Sequence, residues 1–392
     1  MAPMPYRLAI VASHVVQYQD PFYRRLAADP ALDVTVFFCS DMGARTYLDR
    51  DMATSLRWDI DLLEGYGHRF LRNFGFGDGF FRLVNPGLLP ALARGTFDAV
   101  LFMTGWAWLS AWIGFAACRM SDTPFLLFGD SSFLDEPASA RAKLAMAIKR
   151  ALFGLAAGFM ISGRWNADYY RAHGADPQRF FAMPWAADND RFAAASRFAM
   201  GEREAMRARY GIRADETAIV FSAKLIPRKD PMTLLRALDR TAHRDRLAVI
   251  FLGEGELRPQ LEVFARERNL HAVFAGFVNQ TALPQHYAMG DVFCLPSLFE
   301  PRGTVINEAM AAGLPILTTT RCGPAGDIVQ HGENGFVFAP GDVDALAQAL
   351  DQLTDPELRQ RMSERSRAII STWNYEAGVE GVKAALQAVT RR

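Results

Sequence analysis

Two doubly wound α/β domains are the architecture the sequence predicts, and three observations carry the prediction. The chain has 392 residues, too many for one ordinary core, so two domains of roughly 190 residues are expected. Short apolar runs recur with helical stretches between them, the pattern of parallel sheets covered by helices on both faces. The alternation happens twice, and the polar, Ala- and Arg-rich stretch from Asp188 to Arg209 separates the two sets. The expected boundaries are 1–190 and 191–372, with 373–392 forming a last helix with apolar spacing. Ligands of such sheets bind at the carboxyl ends of the strands, so the two domains are expected to face each other across a ligand-binding cleft.

Composition narrows the classes. Half of the residues are hydrophobic and 22% are charged, a soluble globular composition with material for two cores. Lys plus Arg equals Asp plus Glu at 43 each, so no global field draws the chain to nucleic acid. Cys39, Cys118, Cys294 and Cys322 stand singly, with no Cys-x-x-Cys and no histidine at ligand spacing. A reducing, cytoplasmic setting without structural zinc follows.

In the first set, the five-residue run Leu8–Ala12 is too short for a signal-peptide core and reads as a strand. The loop after it holds His14 and Gln17, candidates to face the cleft, although a lone histidine after a strand also has an ordinary structural reading. Val34–Phe38 is the next strand. Phe70 to Pro86 follows, a stretch with Phe70, Phe74, Phe76, Phe80 and Phe81 among three glycines and with neither helical nor strand period. It reads as an acceptor rim, a membrane-dipping loop or a loop packed under the domain. Ala99 to Cys118 is uncharged over twenty residues, about the length of a membrane span. Thr104 and Gly105 break it into a buried strand, a Gly-Trp turn and an apolar helix. Phe125–Phe128 and Phe159–Ile161 are further strands. Between them Arg141, Lys143, Lys149 and Arg150 interleave with apolar residues up to Leu155, which fits either an amphipathic helix at an anionic surface or a packed helix with snorkelling cations.

In the second set, Ala218–Ser222 is a strand that runs into Lys224, Pro227, Arg228 and Lys229. Lys224 and Lys229, two cations at a strand end, suit a diphosphate. Leu247–Leu252 ends in Gly253-Glu254-Gly255, a turn that lets a ligand approach the backbone, although a tight turn alone would also explain the glycines. Val273–Ala275 precedes Gly276-Phe277-Val278, and Val292–Leu295 precedes the stretch from Ser297 to Pro315. That stretch turns through Pro301 and Gly303 into a short helix stopped by Gly313 and Pro315. Glu300 and Glu308 bracket the turn, so the amides of the helix start lie between two acceptors able to hold hydroxyls. Ile316–Thr319 is the last strand before Gly323-Pro324-Ala325-Gly326-Asp327, which shapes the cleft wall.

Glu300, seven residues, Glu308 and then Ala309-Met310-Ala311-Ala312-Gly313-Leu314-Pro315 resembles the signature of the retaining glycosyltransferases of family 4, whose fold is GT-B, two Rossmann-like domains. The resemblance implies that Glu300 contacts donor-sugar hydroxyls, that Glu308 contacts the ribose, and that the amides around Gly303, Thr304 and Val305 meet the diphosphate. It matches Lys224 and Lys229 to the family's paired cations and lines the nucleobase slot with Phe277 and Val278. Asp130, in Gly129-Asp130-Ser131-Ser132, falls on the loop that approaches the reacting carbon. Arg302 stands where relatives usually place an aromatic and Thr304 where many have leucine, which is where donor choice is expected to depart. The last helix is expected to cross back to the first domain.

These readings imply a retaining, metal-independent hexosyltransferase without a cofactor. Its co-substrate is a nucleoside-diphosphate sugar and its acceptor a glycan or lipid-linked glycan, with peripheral contact at the inner face of the cell membrane. Four Asp-x-Asp pairs, at Asp49/Asp51, Asp59/Asp61, Asp188/Asp190 and Asp342/Asp344, are too frequent in one chain to mark a metal. The alternatives are a GT-B nucleotide-sugar epimerase and a catalytically silent protein that binds the nucleotide sugar.

Overall fold

The computed structural model describes residues 4–49, 51–52, 54–129 and 140–390, excepting the side chains of 140–145 and 198. The chain divides into two compact units. Unit 1 comprises Met1–Tyr47, Asp61–Trp185 and Tyr375–Arg392, and unit 2 comprises Leu48–Ile60 and Ala186–Asn374. The helix Tyr375–Val389 thus counts with unit 1, and one short excursion, Leu48–Ile60, counts with unit 2 although the sequence around it builds unit 1.

The strands in chain order are β1 (Tyr6–Ala12), β2 (Leu32–Phe38), β3 (Tyr47–Asp49), β4 (Thr54–Leu56), β5 (Gly67–Phe70), β6 (Ala99–Met103), β7 (Phe125–Leu127), β8 (Gly158–Ile161), β9 (Phe180–Ala182), β10 (Thr217–Ser222), β11 (Leu247–Leu252), β12 (Ala272–Gly276), β13 (Val292–Leu295), β14 (Ile316–Thr319) and β15 (Gly335–Phe338). The first sheet has the order β5-β2-β1-β6-β7-β8-β9 and the second β12-β11-β10-β13-β14-β15, while β3 and β4 pair with each other. Neighbouring strands within both large sheets pair in parallel. Each strand order reverses once, between β1 and β6 and between β10 and β13, the topological switch points at which doubly wound sheets hold their ligands.

Burial explains why these segments are strands. Every residue of β10 and β11 is buried, and a period of two sends alternate side chains to opposite faces. Ile219 and Phe221 pack with Val249 and Phe251 in one core layer, and Ala218 and Val220 pack with Ala248 and Ile250 in another. A fully buried side chain of this kind contributes about 2 kcal/mol, so the central strands are the least dispensable part of unit 2. In unit 1, β6 is followed by the helix Leu109–Met120. No helix among the described residues is long and apolar enough to cross a membrane. Both large sheets have the doubly wound form.

Tyr375–Val389 is amphipathic. Val379, Val382, Ala385 and Leu386 are buried, the Tyr375 hydroxyl donates to the Tyr18 carbonyl at 2.6 Å, and Lys383 meets Asp29 at 3.2 Å.

Candidate functional site

The switch point of the second sheet organises the site. From β10 the chain turns toward β11, and from β13 it turns toward β14, so the loops beyond their carboxyl ends diverge and leave room between them. The first of these loops carries Lys224 and Lys229; the second carries Glu300 and leads into the helix Thr304–Ala311.

Local geometry fixes Lys229. Pro227–Lys229 is one 3₁₀ turn, and Asp230, in the left-handed region at φ 48°, closes it by capping the helix Pro231–Arg240. The Asp230 carboxylate accepts the Thr233 hydroxyl at 2.7 Å. The Leu298 amide donates to the Arg228 carbonyl at 3.0 Å, which ties the two loops together. Lys229 then ion-pairs with Glu300, and Arg228 lies 3.9 Å from the same carboxylate.

Glu300 is held through its backbone. Its amide donates to the Arg321 carbonyl at 2.9 Å and its carbonyl accepts the Gly323 amide at 2.8 Å. Its side chain accepts the amides of Arg302 at 3.4 Å and Gly303 at 3.2 Å. Gly303 makes this possible, because it adopts φ 56°, ψ 44°, and a Cβ there would lie 3.0 Å from the Pro324 ring. At 8% exposure, burial pushes the Glu300 carboxyl upward. The Lys229 charge and hydrogen bond, the Gly303 amide and Arg228 outweigh burial and hold it below the ordinary range. An ionised carboxylate and an ammonium therefore stand together at the strand ends, next to the positive end of a helix.

Glu308 lies in the same helix and is 6% exposed. The Tyr287 hydroxyl donates to it at 2.9 Å. Burial pushes its carboxyl up to about 7, against the opposing effects of Tyr287 and the Arg191 charge. The two glutamates of the motif are thus in opposite electrostatic states, one held charged and one biased toward its protonated form.

Lys224 does not join Lys229. Its ammonium sits on Asp49 at 2.9 Å and on Asp51 at 2.7 Å, both in the excursion Leu48–Ile60. Gly253 and Gly255 flank a turn against which the chain's own loop packs. A Cβ at Gly253 would lie 2.0 Å from the Ala223 carbonyl oxygen and one at Gly255 2.4 Å from that of Leu225. The close approach these glycines permit is to the backbone on either side of Lys224. Phe277 meets the Trp58 ring edge-on at 6.3 Å, and Val278 packs half-buried against the core layer containing Ile306 and Met310. Thr304 and Val305 open the helix, whose capping position is Gly303.

In unit 1, His14 and Gln17 are half-buried in the loop after β1, at that sheet's switch point. Ser13 Oγ lies 2.9 Å from His14 Nδ1. Asp130 lies outside the described residues. Lys149, read from the sequence as one cation of an amphipathic surface, is 7% exposed and stands 5.2 Å from the Trp106 ring and 5.0 Å from that of Tyr169. Its stem and charge are taken up by cation–π contacts inside the unit, so the helix Ala140–Leu155 presents less basic surface than its spacing suggests.

The Asp-x-Asp pairs have other occupations. Asp59 accepts the Thr281 amide at 3.1 Å, Asp188 pairs with Arg191 at 3.5 Å, Asp342 caps the helix Val343–Gln352 through the Ala345 amide at 2.9 Å, and Asp344 pairs with Arg240. Among the described residues no cluster of three or more His, Cys, Asp or Glu is placed to share a metal. Tyr287 and the Asp49/Asp51 pair are the members of the site that motif reading passes over. The aspartates were visible only as one of four similar pairs, and 175 residues separate Asp49 from Lys224.

Residues 202–369 match the family described as "Glycosyl transferases group 1". Among curated relatives, an uncharacterized glycosyltransferase of Methanocaldococcus jannaschii is 32% identical over 39% of this chain and 39% of its own length. A GDP-mannose-dependent alpha-(1-6)-phosphatidylinositol monomannoside mannosyltransferase of Mycolicibacterium smegmatis is 34% identical over 49% of this chain and 52% of its own. The chain thus spans about half or less of the length of these relatives. Among solved structures, HepE of Anabaena in complex with UDP superposes with a TM-score of 0.73 over 98% of this chain and all of the other, at 17% identity, and the chain has the GT-B fold.

Proposed function

We propose that the chain is a retaining glycosyltransferase of the family 4 type that moves a hexose from a nucleoside-diphosphate sugar to a glycan or lipid-linked acceptor. The observation that carries this reading is the Lys229–Glu300 ion pair set against the start of the helix Thr304–Ala311 at a switch point. Glu300 accepts hydroxyls of the transferred sugar, and Glu308 faces the ribose. The diphosphate takes the amides of Thr304 and Val305 together with the cations Lys229 and Lys224. As the bond from the anomeric carbon to the diphosphate oxygen breaks, negative charge grows on that oxygen, and Lys229 is placed to stabilise it. Removing one such donor typically costs a factor of about 10² to 10³ in rate. The incoming acceptor hydroxyl loses its proton to the leaving phosphate on the same face, so the sugar keeps its anomeric configuration. Asp130, His14 and Gln17 are the acceptor-side candidates in this reading, and neither cofactor nor metal takes part.

The named substrate of the Mycolicibacterium relative, a phosphatidylinositol monomannoside, supports a lipid-linked acceptor. Contact with an anionic membrane then falls on the loop from Phe70 to Pro86. Phe70, Phe74, Phe76, Phe80 and Phe81 are all exposed there, Phe76 by 71%. The loop is ordered by its own hydrogen bonds, with Asn73 Oδ1 accepting the amides of Gly75 at 2.9 Å and Val84 at 2.8 Å and the Phe76 amide reaching the Phe81 carbonyl at 2.9 Å. Exposed Arg69, Arg72 and Arg82 flank the rings, the combination that suits an anionic interface. The test of the whole reading is turnover of a nucleotide-sugar panel with lipid-linked acceptors, followed by determination of the product's anomeric configuration. Inversion would sink the retaining mechanism, and activity abolished by chelator would sink the metal-free one.

A further inference from the structure

The lysine expected on the donor's diphosphate is already occupied. Lys224 Nζ lies 2.9 Å from Asp49 and 2.7 Å from Asp51. An ammonium has three N–H donors, and two carboxylates present it with much the same oxygens and charge as a diphosphate. Both Asp49 oxygens, at 2.9 Å each, and one Asp51 oxygen at 2.7 Å already take up the three donors, so a diphosphate must displace at least one of them. We propose that Leu48–Ile60 is a strap whose Asp49/Asp51 end competes with the donor for Lys224, so that the arriving diphosphate takes the lysine and lifts that end.

The strap is moored and latched by different residues. At the mooring, Asn279 Nδ2 donates to the Arg57 carbonyl at 2.7 Å, the Thr281 amide donates to Asp59 at 3.1 Å, and Trp58 lies against Phe277. None of these contacts involves Lys224. At the latch, Asp49 also accepts the amides of Asp51 and Met52, each at 3.1 Å, which shapes the turn that brings both carboxylates together. The mooring can therefore persist while the latch opens. The latch yields first at Asp51, whose side chain is 57% exposed against 11% for Asp49, because exposed ion pairs are worth little. A nucleoside diphosphate brings a second contact surface at Lys229, which the strap lacks. Donor-free protein thus keeps Lys224 masked, and donor affinity is set partly by how firmly two aspartates hold it.

This inference rests on the donor reading above, and the experiment separates the two. UDP and GDP are titrated calorimetrically into wild type, Asp49→Asn/Asp51→Asn, Lys224→Ala and the triple variant. The expected result is about a threefold to tenfold gain in affinity for the double Asn variant, with no gain from the same substitutions on the Lys224→Ala background. A gain that persists without Lys224 is a general charge effect and overturns the latch, as does an unchanged affinity. If neither nucleotide binds any variant, the donor reading fails and the competition fails with it. Acetylation of Lys224, read by mass spectrometry without ligand, tests the contact itself: labelling faster in Asp51→Asn supports the latch and equal labelling overturns it. Asp51→Asn alone, at an exposed position, serves if the double variant does not fold.

Discussion

At the scale of single residues, the motif's two glutamates are the clearest case of one side chain in two environments. Glu300 is legible in the sequence as a motif position, but its charge state is not, because that depends on its burial, on Lys229, 71 residues away, on Arg228 and on the Gly303 amide. Glu308, buried and hydrogen-bonded by the Tyr287 hydroxyl, has its carboxyl pushed up to about 7 by burial. The folded protein therefore holds this proton more tightly than the unfolded chain, whose carboxyl titrates near 4.5. Stability from this group is full below pH 4.5, falls as pH rises and levels off above about 7. Glu308→Gln should remove that slope. Between pH 5 and 8 wild type should lose up to about 3 kcal/mol relative to the variant, measured by urea unfolding at each pH, and parallel curves would show that Glu308 is ionised throughout.

At the scale of elements, the interior strands are plain in the sequence, and of the edge strands only β12 is. β1, β6, β10, β11 and β13 are runs of buried aliphatic and aromatic residues. β5 (Gly-His-Arg-Phe), β9 (Phe-Phe-Ala) and β15 (Gly-Phe-Val-Phe) are edge strands of three or four residues with a polar, glycine or alanine position, too short for a period to register. The strap is invisible for another reason: its contacts are long-range and polar, and nothing local marks Asp49 and Asp51 from other acidic pairs. The helix Thr304–Ala311 is legible because glycine and proline punctuate both of its ends. Its start depends on Gly303, where an alanine would take a left-handed conformation and crowd Pro324 and Ile306. Gly303→Ala should cost about 1–2 kcal/mol in unfolding free energy and should weaken nucleotide binding more than that loss alone explains. A variant of wild-type stability and affinity would show that the turn relaxes freely.

At the scale of the whole molecule, doubly wound architecture predicts where ligands sit, and both large sheets have their switch-point loops occupied by candidate residues. Family resemblance covers unit 2 closely and unit 1 only in outline, so donor recognition is legible where acceptor recognition is not. Unit 1 does offer the aromatic loop, whose five phenylalanines read equally well as rim, membrane anchor or buried packing until their exposure decides among them. Phe76→Asp/Phe81→Asp should abolish flotation of the full chain with anionic vesicles while leaving nucleotide affinity intact, and unchanged flotation would remove the loop from the membrane contact. In unit 2 the proposed transfer depends on Lys229 and Glu300 holding the nucleotide sugar together. Its most direct measurement is calorimetric binding and turnover of the best nucleotide sugar by wild type and by Lys229→Ala/Glu300→Ala, with folding checked by thermal unfolding. Loss of turnover by about 10² or more in a folded variant is the expected result, and undiminished turnover would contradict it.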